Sequence, residues 1–461
     1  MDKLVWRKRV CALVLLSAVM ATVSPAQKFT TLVTFSGPNG AQPSGRLEQG
    51  FDGNFYGITA QGGAYSCFPA GCGTIFQVTR EGTLKTLLSF SGNDGAGPSG
   101  GLTLATDGNF YGTTSGGSYP YLSGSVFRVT LPGQLTTLFG FNYDNGAYPS
   151  MPLVEAANGG FYGSTTTGNG LGGTIFVITP GGSLTTLYEF GPDYGWCDSL
   201  VQTPDGNFYG TTAEGGANRI GSVFKMTPQG TLTTLYNFGD AGGNSPVALV
   251  EAPDGNFYGT TTYGPGAGVG NGTVFKITPE GNLTTLHTFN TAEGYRPGGL
   301  LLASDGNFYG ITTAGGTNGL GSIYRITPQG AMTTVHSFDV ADGGAAPSAA
   351  LFQATDGKFY GVTSGYSGFN LVGTLFSLSM GLGPFVKTLP HFGEPGGVVK
   401  LLGTDLEGAT TISFNGTAAA FKVVSPTEIL TRVPAGATSG KIQVTTPRGA
   451  LFSAGPFVVR P

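Results

Sequence analysis

The residues of this chain best suited to chemistry lie in its glycine-rich connections. They include the aromatic side chains Tyr143, Tyr148, Tyr194, Trp196 and Tyr295, set among the carboxylates Asp144, Asp193, Asp198, Glu214, Asp240 and Glu293. Rings can stack on the faces of sugars, and carboxylates accept hydrogen bonds from hydroxyls. The same combination also suits a protein partner, because aromatic residues supply much contact area at low entropic cost. A competing reading has these rings packing on the tops of their own structural units, since single exposed apolar residues need no functional explanation.

A second set of acids recurs at Asp52, Asp107, Asp205, Asp254, Asp305 and Asp356. Each precedes Gly and then Asn or Lys between two strand-like segments. Asp-Gly between strands is a hairpin turn, with Gly supplying the positive φ. These aspartates also recur far apart in the chain. They are expected to shape turns, and no metal or other cofactor is expected. Gly266 to Gly270 resembles a phosphate loop only by its glycine count, since no helix start follows. His287 and His336 share one register of two repeats where other copies have Tyr or Leu, and read as tolerated substitutions. No Ser-His-Asp set, histidine metal cluster or hydrolase elbow is visible, so no catalytic residue is assigned.

The elements that position these residues repeat. Asp-Gly-Asn-Phe-Tyr-Gly or a close variant places tyrosines at Tyr56, Tyr111, Tyr162, Tyr209, Tyr258, Tyr309 and Tyr360. A period near fifty marks one supersecondary unit copied and stacked. Each copy reads as four short strands, a to d, joined by turns. The array opens with a d strand, Phe29 to Phe35, and ends with a, b and c from Pro347 to Ser379. One unit is therefore split between the two ends, which closes a ring and protects its edges. The expected fold is all-β: a seven-bladed β-propeller over residues 27–380. An open solenoid would favour capping repeats, and none is visible. The a–b and c–d turns barely vary, whereas the b–c loops differ widely. Variation thus collects on one face, as expected where a scaffold presents a binding site.

Composition fits this reading. Of 461 residues, 81 are Gly and only 10% are charged, which suits strands and turns better than exposed helices. Residues 1–26 read as a secretory signal peptide. Lys3, Arg7, Lys8 and Arg9 precede the apolar run Val10 to Val23, with cleavage near Ala26. Its removal moves the formal net charge from −4 to −7, by loss of those four cations and Asp2. Nucleic acid is then an unsuitable partner, and no later segment is long enough to span a membrane. Cys67 and Cys72 bracket four residues of one loop and are expected to form a disulfide in an exported protein. Cys197 is left over.

The copies with Asp-Gly-Asn-Phe-Tyr-Gly-Thr-Thr, Gly-Thr-Val-Phe-Lys-Ile-Thr-Pro and Leu-Thr-Thr-Leu resemble the GloVer tandem repeat of secreted bacterial proteins, over about residues 29–379. Members often carry a C-terminal surface anchor, and none is apparent here. The resemblance implies no activity. After Met380 the repeat stops. Strand-like segments at Val398–Leu402, Thr411–Phe414, Phe421–Val424, Glu428–Val433, Lys441–Thr445 and Phe457–Val459 suggest a β-sandwich over residues 384–461. Ser425-Pro426-Thr427-Glu428-Ile429, Val433-Pro434-Ala435-Gly436 and Pro447-Arg448-Gly449 resemble an immunoglobulin-like IPT/TIG domain. The expected whole is a secreted or cell-surface protein that binds a glycan or protein on its variable face. The alternatives are a propeller enzyme acting on polysaccharide, as a lyase or glycoside hydrolase, and a structural envelope component.

Overall fold

The computed structural model describes residues 27–67, 70–117, 123–168, 172–191, 195–239, 242–265, 271–343, 346–348, 350–365 and 373–460. The expected signal peptide and Tyr194 lie outside the described residues, as do Gly266 to Gly270, Asp193 and Asp240.

The repeats fold as antiparallel meanders. In the first blade, strands a to d are Ala41–Gln49, Phe55–Gln61, Thr74–Val78 and Leu84–Ser89. They pair in that spatial order. In the fifth they are Asn244–Glu251, Phe257–Tyr263, Thr273–Ile277 and Leu283–Thr288. Seven such units occur among the described residues; a single bridge from Arg46 to Gly101 joins the first two into one eight-stranded sheet. The a strand of the third is broken into Ala147–Pro149 and Val154–Glu155, with Pro152, which cannot donate to a ladder, between the halves. The last unit takes its fourth strand from the other end of the chain. Lys28–Thr34 pairs antiparallel with Thr374–Ser379, Phe29 opposite Leu378.

Three contact series run between neighbouring units; the first two pass from each unit to the next and return to the start, and the third is made at four of the seven junctions. The first is aromatic. Tyr111 stacks on Phe161 with ring centroids 3.9 Å apart, and Tyr209 on Phe257 at 4.2 Å. The series ends with Tyr360 on Phe55, at 4.2 Å. Both residues of the recurring Phe-Tyr pair are thus core, as their alternation on a doubly covered strand requires. The second is a close approach. A Cβ on Gly73 would lie 2.5 Å from Pro98 Cδ of the next blade, and one on Gly373 would lie 2.5 Å from Pro43 Cδ. Only glycine admits that contact.

The third series is polar and runs along the a–b turns. The last side chain of strand a accepts a hydrogen bond from a backbone N–H of the preceding blade's turn. Gln49 accepts from Thr355 at 3.1 Å, Glu155 from Thr106 at 2.9 Å, Gln202 from Ala157 at 3.0 Å and Gln353 from Ser304 at 2.8 Å. Leu104 and Leu302 fill two of the remaining positions with apolar side chains. At the last, the turn position of the preceding blade equivalent to Thr106 is Pro204, which has no N–H to give to Glu251.

The turn aspartates do the work expected of a hairpin and one thing more. Gly53, after Asp52, has φ 81°, and Asn54 N donates to Asp52 at 3.1 Å. Tyr56 donates its hydroxyl to the same carboxylate at 2.7 Å. Tyr111, Tyr258, Tyr309 and Tyr360 repeat the bond to Asp107, Asp254, Asp305 and Asp356. Each of these five acids therefore anchors the polar end of a buried ring. Among the described residues no cluster of three or more His, Cys, Asp or Glu is placed to hold a metal ion.

The C-terminal module is a sandwich. One sheet has Lys387–Leu389, Val398–Leu402, Glu428–Arg432 and Phe421–Ser425; the other has Thr417–Ala418, Thr411–Phe414, Ile442–Thr446 and Gly449–Phe452. Val399, Leu401, Ile412, Phe414, Ile429, Ile442, Val444 and Phe457 form its core. It docks on the propeller face that carries the a–b and c–d turns. Lys387 Nζ lies 2.5 Å from the Glu48 carboxylate, which is 5% exposed. Thr427 donates to the Phe51 carbonyl at 2.6 Å, Thr404 bonds Thr355 at 2.9 Å, and Arg80 reaches Thr404 at 3.0 Å. Leu402 joins the core cluster of Tyr56 and Phe110.

Candidate functional site

Strand a of each blade lines a central channel, and the docked sandwich covers one end of it. The cavity has a volume of about 1000 Å³. Its wall includes Gly45, Gly100, Ser150, Val247, Gly299 and Ser348 from six different blades, and its floor includes Lys387, Leu389, His391 and Lys400 of the sandwich. The other end faces the variable b–c and d–a loops. These loops do share one face: Gly63 of a b–c loop donates to the Gly37 carbonyl of a d–a connection at 3.0 Å.

The fourth blade breaks the pattern of this wall. In the other six, the a-strand residue paired with the threonine two positions after Phe-Tyr-Gly is a proline, as in Pro43 with Thr59 and Pro246 with Thr261. In the fourth, Cys197 pairs with Thr212. Cys197 is fully buried, and burial pushes its thiol well above the usual range. The residues on either side of it then depart from the repeat. Trp196 takes the slot beside Gly173 that proline fills elsewhere; a Cβ on Gly173 would lie 2.7 Å from that of Trp196. Asp198 enters the channel wall at a level otherwise built of small neutral residues.

Trp196 Nε1 donates to Asp198 Oδ1 at 2.8 Å. Among the described residues the other Asp198 oxygen has no donor. Burial, reinforced by the nearby Glu214 carboxylate, raises the Asp198 pKa to about 6, against the pull of the Trp196 bond. A half-buried acid that titrates near neutrality, in a cavity, is the kind of group found at binding and catalytic sites.

The other expected site residues are dispersed. Tyr143 and Tyr148 meet as an edge-to-face pair, centroids 5.8 Å apart, with their hydroxyls bonded to each other. They are 51% and 38% exposed, and both have positive φ, 66° and 56°. Backbone strain of this kind in exposed aromatic residues is uncommon. Trp196 is not a loop-tip ring but a half-buried one wedged between blades. Tyr295 begins the a strand of the sixth blade, two blades from Trp196, because the connection Phe238 to Asn244 intervenes. Among the described residues, Tyr143 and Tyr148 therefore stay together, and Trp196 and Tyr295 stand apart.

Cys67 and Cys72 bring their sulfurs to 1.98 Å, with Cα atoms 4.9 Å apart. The two histidines have a shared structural use. His287 bonds Glu293 at 3.0 Å and His336 bonds Asp342 at 2.9 Å, each tying a d strand to the loop that leaves it. Sequence reasoning missed the role of Asp198 and of Cys197. The available signal was the absence of Pro in one of seven aligned a strands.

The profile of the Gloeobacter/Verrucomicrobia repeat matches residues 17–196 and 196–420. The chain belongs to this family. Residues 386–458 match the IPT/TIG domain. No curated protein sequence matches. Among solved structures, the extracellular domain of a protein assigned as a hybrid two-component system of B. thetaiotaomicron is similar. Its TM-score is 0.50 at 12% identity, over 95% of this chain and 60% of that one. A protein of Bacteroides fragilis NCTC 9343 assigned as a 6-phosphogluconolactonase has TM-score 0.49 at 17% identity, over 78% of this chain and 93% of that one. At its identity the first of these shows a likeness of fold alone, an all-β propeller-like architecture.

Proposed function

We propose that this repeat protein is an extracellular binding protein whose variable loop face engages a glycan or a protein ligand. One observation carries the reading. The sandwich occupies the uniform turn face, so among the described residues the face where loop length and aromatic content vary is the one it leaves uncovered. A leader-like segment at residues 1–26 and the paired sulfurs of Cys67 and Cys72 support export. No helix among the described residues is long and apolar enough to cross a membrane.

The test is a glycan array probed with the protein from Gln27 onward, run beside its Tyr143→Ala/Tyr148→Ala variant. Binding that falls at least tenfold in the variant, with unchanged thermal stability, supports the loop face as the site. Equal binding by both would reject it.

A second reading, an enzyme acting on polysaccharide, is favoured by Asp198 and Glu214, since glycoside hydrolysis uses a protonatable carboxyl beside a second carboxylate. Release of reducing ends from polysaccharide, abolished by Asp198→Asn, would establish it. Glycan binding without turnover would remove it.

A further inference from the structure

Resting on the reading of the loop face as a binding face, we infer that the blind channel is itself a ligand site, that it takes an uncharged, hydroxyl-rich small molecule or the end of a neutral saccharide, and that Asp198 is the residue that selects it. The first support is shape. Through-channels conduct or stay wet, whereas this one has a floor supplied by another domain, and its volume of about 1000 Å³ is at the upper end of small-molecule sites.

Charge gives the second support. Arg46, Lys387 and Lys400 line the cavity against Glu48, Glu155 and Asp198. Glu48 is taken by Lys387 at 2.5 Å and Arg46 at 3.4 Å. Glu155 is taken by Thr106, and Lys400 sits 4.5 Å over the Phe51 ring. Burial and the neighbouring Arg460 hold His391 down at about 4, so it is neutral. The balanced lining offers no field to draw in either an anion or a cation. What remains is one carboxylate oxygen that has no donor among the described residues, in a wall that also includes Ser150 and other small residues. An acceptor in a neutral, partly apolar cavity asks for a hydroxyl or amide donor on a neutral ligand.

The discriminating power follows from the same geometry. A site built to accept a hydrogen bond rejects ligands that cannot donate one, because its buried oxygen is then left unpaired. Asp198 protonates near pH 6, so affinity should weaken as the acid loses its acceptor character.

The experiment is calorimetric titration of the full protein from Gln27 with neutral di- and trisaccharides of gluco, galacto and manno configuration. 1,4-Diaminobutane and succinate serve as charged controls. The expected result is one site for at least one neutral sugar, weakened at least tenfold in Asp198→Asn and at least threefold in the wild type between pH 7.5 and pH 5. Val247→Trp, on the neighbouring a strand, obstructs the channel at the level of Asp198 and should abolish the same binding. Its fold is checked by its melting temperature. Preference for the diamine or for succinate would overturn the inference, as would neutral-sugar binding that survives both substitutions. Array binding that is lost in Tyr143→Ala/Tyr148→Ala but kept in Val247→Trp would leave the loop-face reading standing and reject the channel.

Discussion

Glu251 should make the stability of this protein depend on pH in a way that a single neighbouring proline controls. Four blades satisfy the last side chain of strand a with a backbone N–H from the preceding turn; Pro204 withholds that donor from Glu251. Among the described residues no hydrogen bond replaces it. Burial, with a smaller contribution from the Asp205 carboxylate, raises the Glu251 pKa from 4.5 to about 7. Lys225 lies 3.8 Å from Asp205 and relieves part of that repulsion.

The sign follows from linkage. Below pH 4.5 the carboxyl is neutral in both folded and unfolded chains. As pH rises from 4.5 to 7 the unfolded chain releases its proton and the folded one retains it, so stability falls across that window and is level above it. The gap between the two pKa values corresponds to about 3 kcal/mol at 1.36 kcal/mol per pKa unit. Glu251 is only half-buried, and water reduces this to about 1 kcal/mol. Glu251→Gln removes the charge at constant shape. It should raise the melting temperature at pH 8 by about 1–2 °C, less than in a smaller domain because the unfolding entropy of so long a chain is large. At pH 4.5 it should change nothing. Pro204→Ala restores the N–H and should flatten the wild-type slope between pH 4.5 and 7, whatever it does to the absolute melting temperature through chain entropy. Thermal unfolding followed by circular dichroism across pH 4–8 is the assay. An effect of Glu251→Gln that is the same at pH 4.5 and pH 8, or a slope untouched by Pro204→Ala, would refute the reasoning.

Three further outcomes are expected. Deleting residues 27–36 strips the fourth strand from the last blade, and should lower the stability of the whole ring and promote aggregation at the exposed Thr374–Ser379 edge; an unaltered cooperative melt of soluble protein would contradict this. Lys387→Met leaves the buried Glu48 carboxylate with only the longer Arg46 contact, and should cost up to about 3 kcal/mol in chemical denaturation; a loss within error would mean the interdomain ion pair is dispensable. Peptide mapping without reductant should recover the Cys67 and Cys72 peptides linked, and reduction should change stability modestly because the closed loop is short; free thiols at both positions in protein from an oxidising compartment would reject the disulfide.

What could be read from the sequence was whatever repeats. The Phe-Tyr pair, the Asp-Gly turns and the split last blade recur with fixed spacing, so local patterning and global closure agree. In the sandwich, Val398–Leu402 and Thr411–Phe414 coincide with the strands observed. Gly449–Phe452 and Lys387–Leu389 were not anticipated. Their exposed or linker-like positions carry no clean alternation, and the second is held by docking on the propeller. The site was less legible because it depends on contacts between blades. Trp196 looked like a loop ring, but proline's absence from the fourth blade draws it into an interblade slot. Asp198 looked like one loop acid among several, until the register set by Cys197 and Thr212 placed it in the channel wall. No local pattern reports that the sandwich closes the channel, since the contacts of Lys387 with Glu48 and Thr427 with Phe51 join residues more than three hundred positions apart.

The borrowed strand of the last blade has a further effect on where the chain goes next. Because Lys28–Thr34 supplies the outermost strand, the polypeptide leaves the ring from the third strand, Thr374–Ser379, rather than from the rim. That departure point is nearer the axis by one strand spacing, about 4.8 Å. Eight residues later Lys387 is already seated on Glu48 of the first blade. Leaving early turns the connection into a short inward leash, and the sandwich is delivered to the axis instead of swinging free from the circumference.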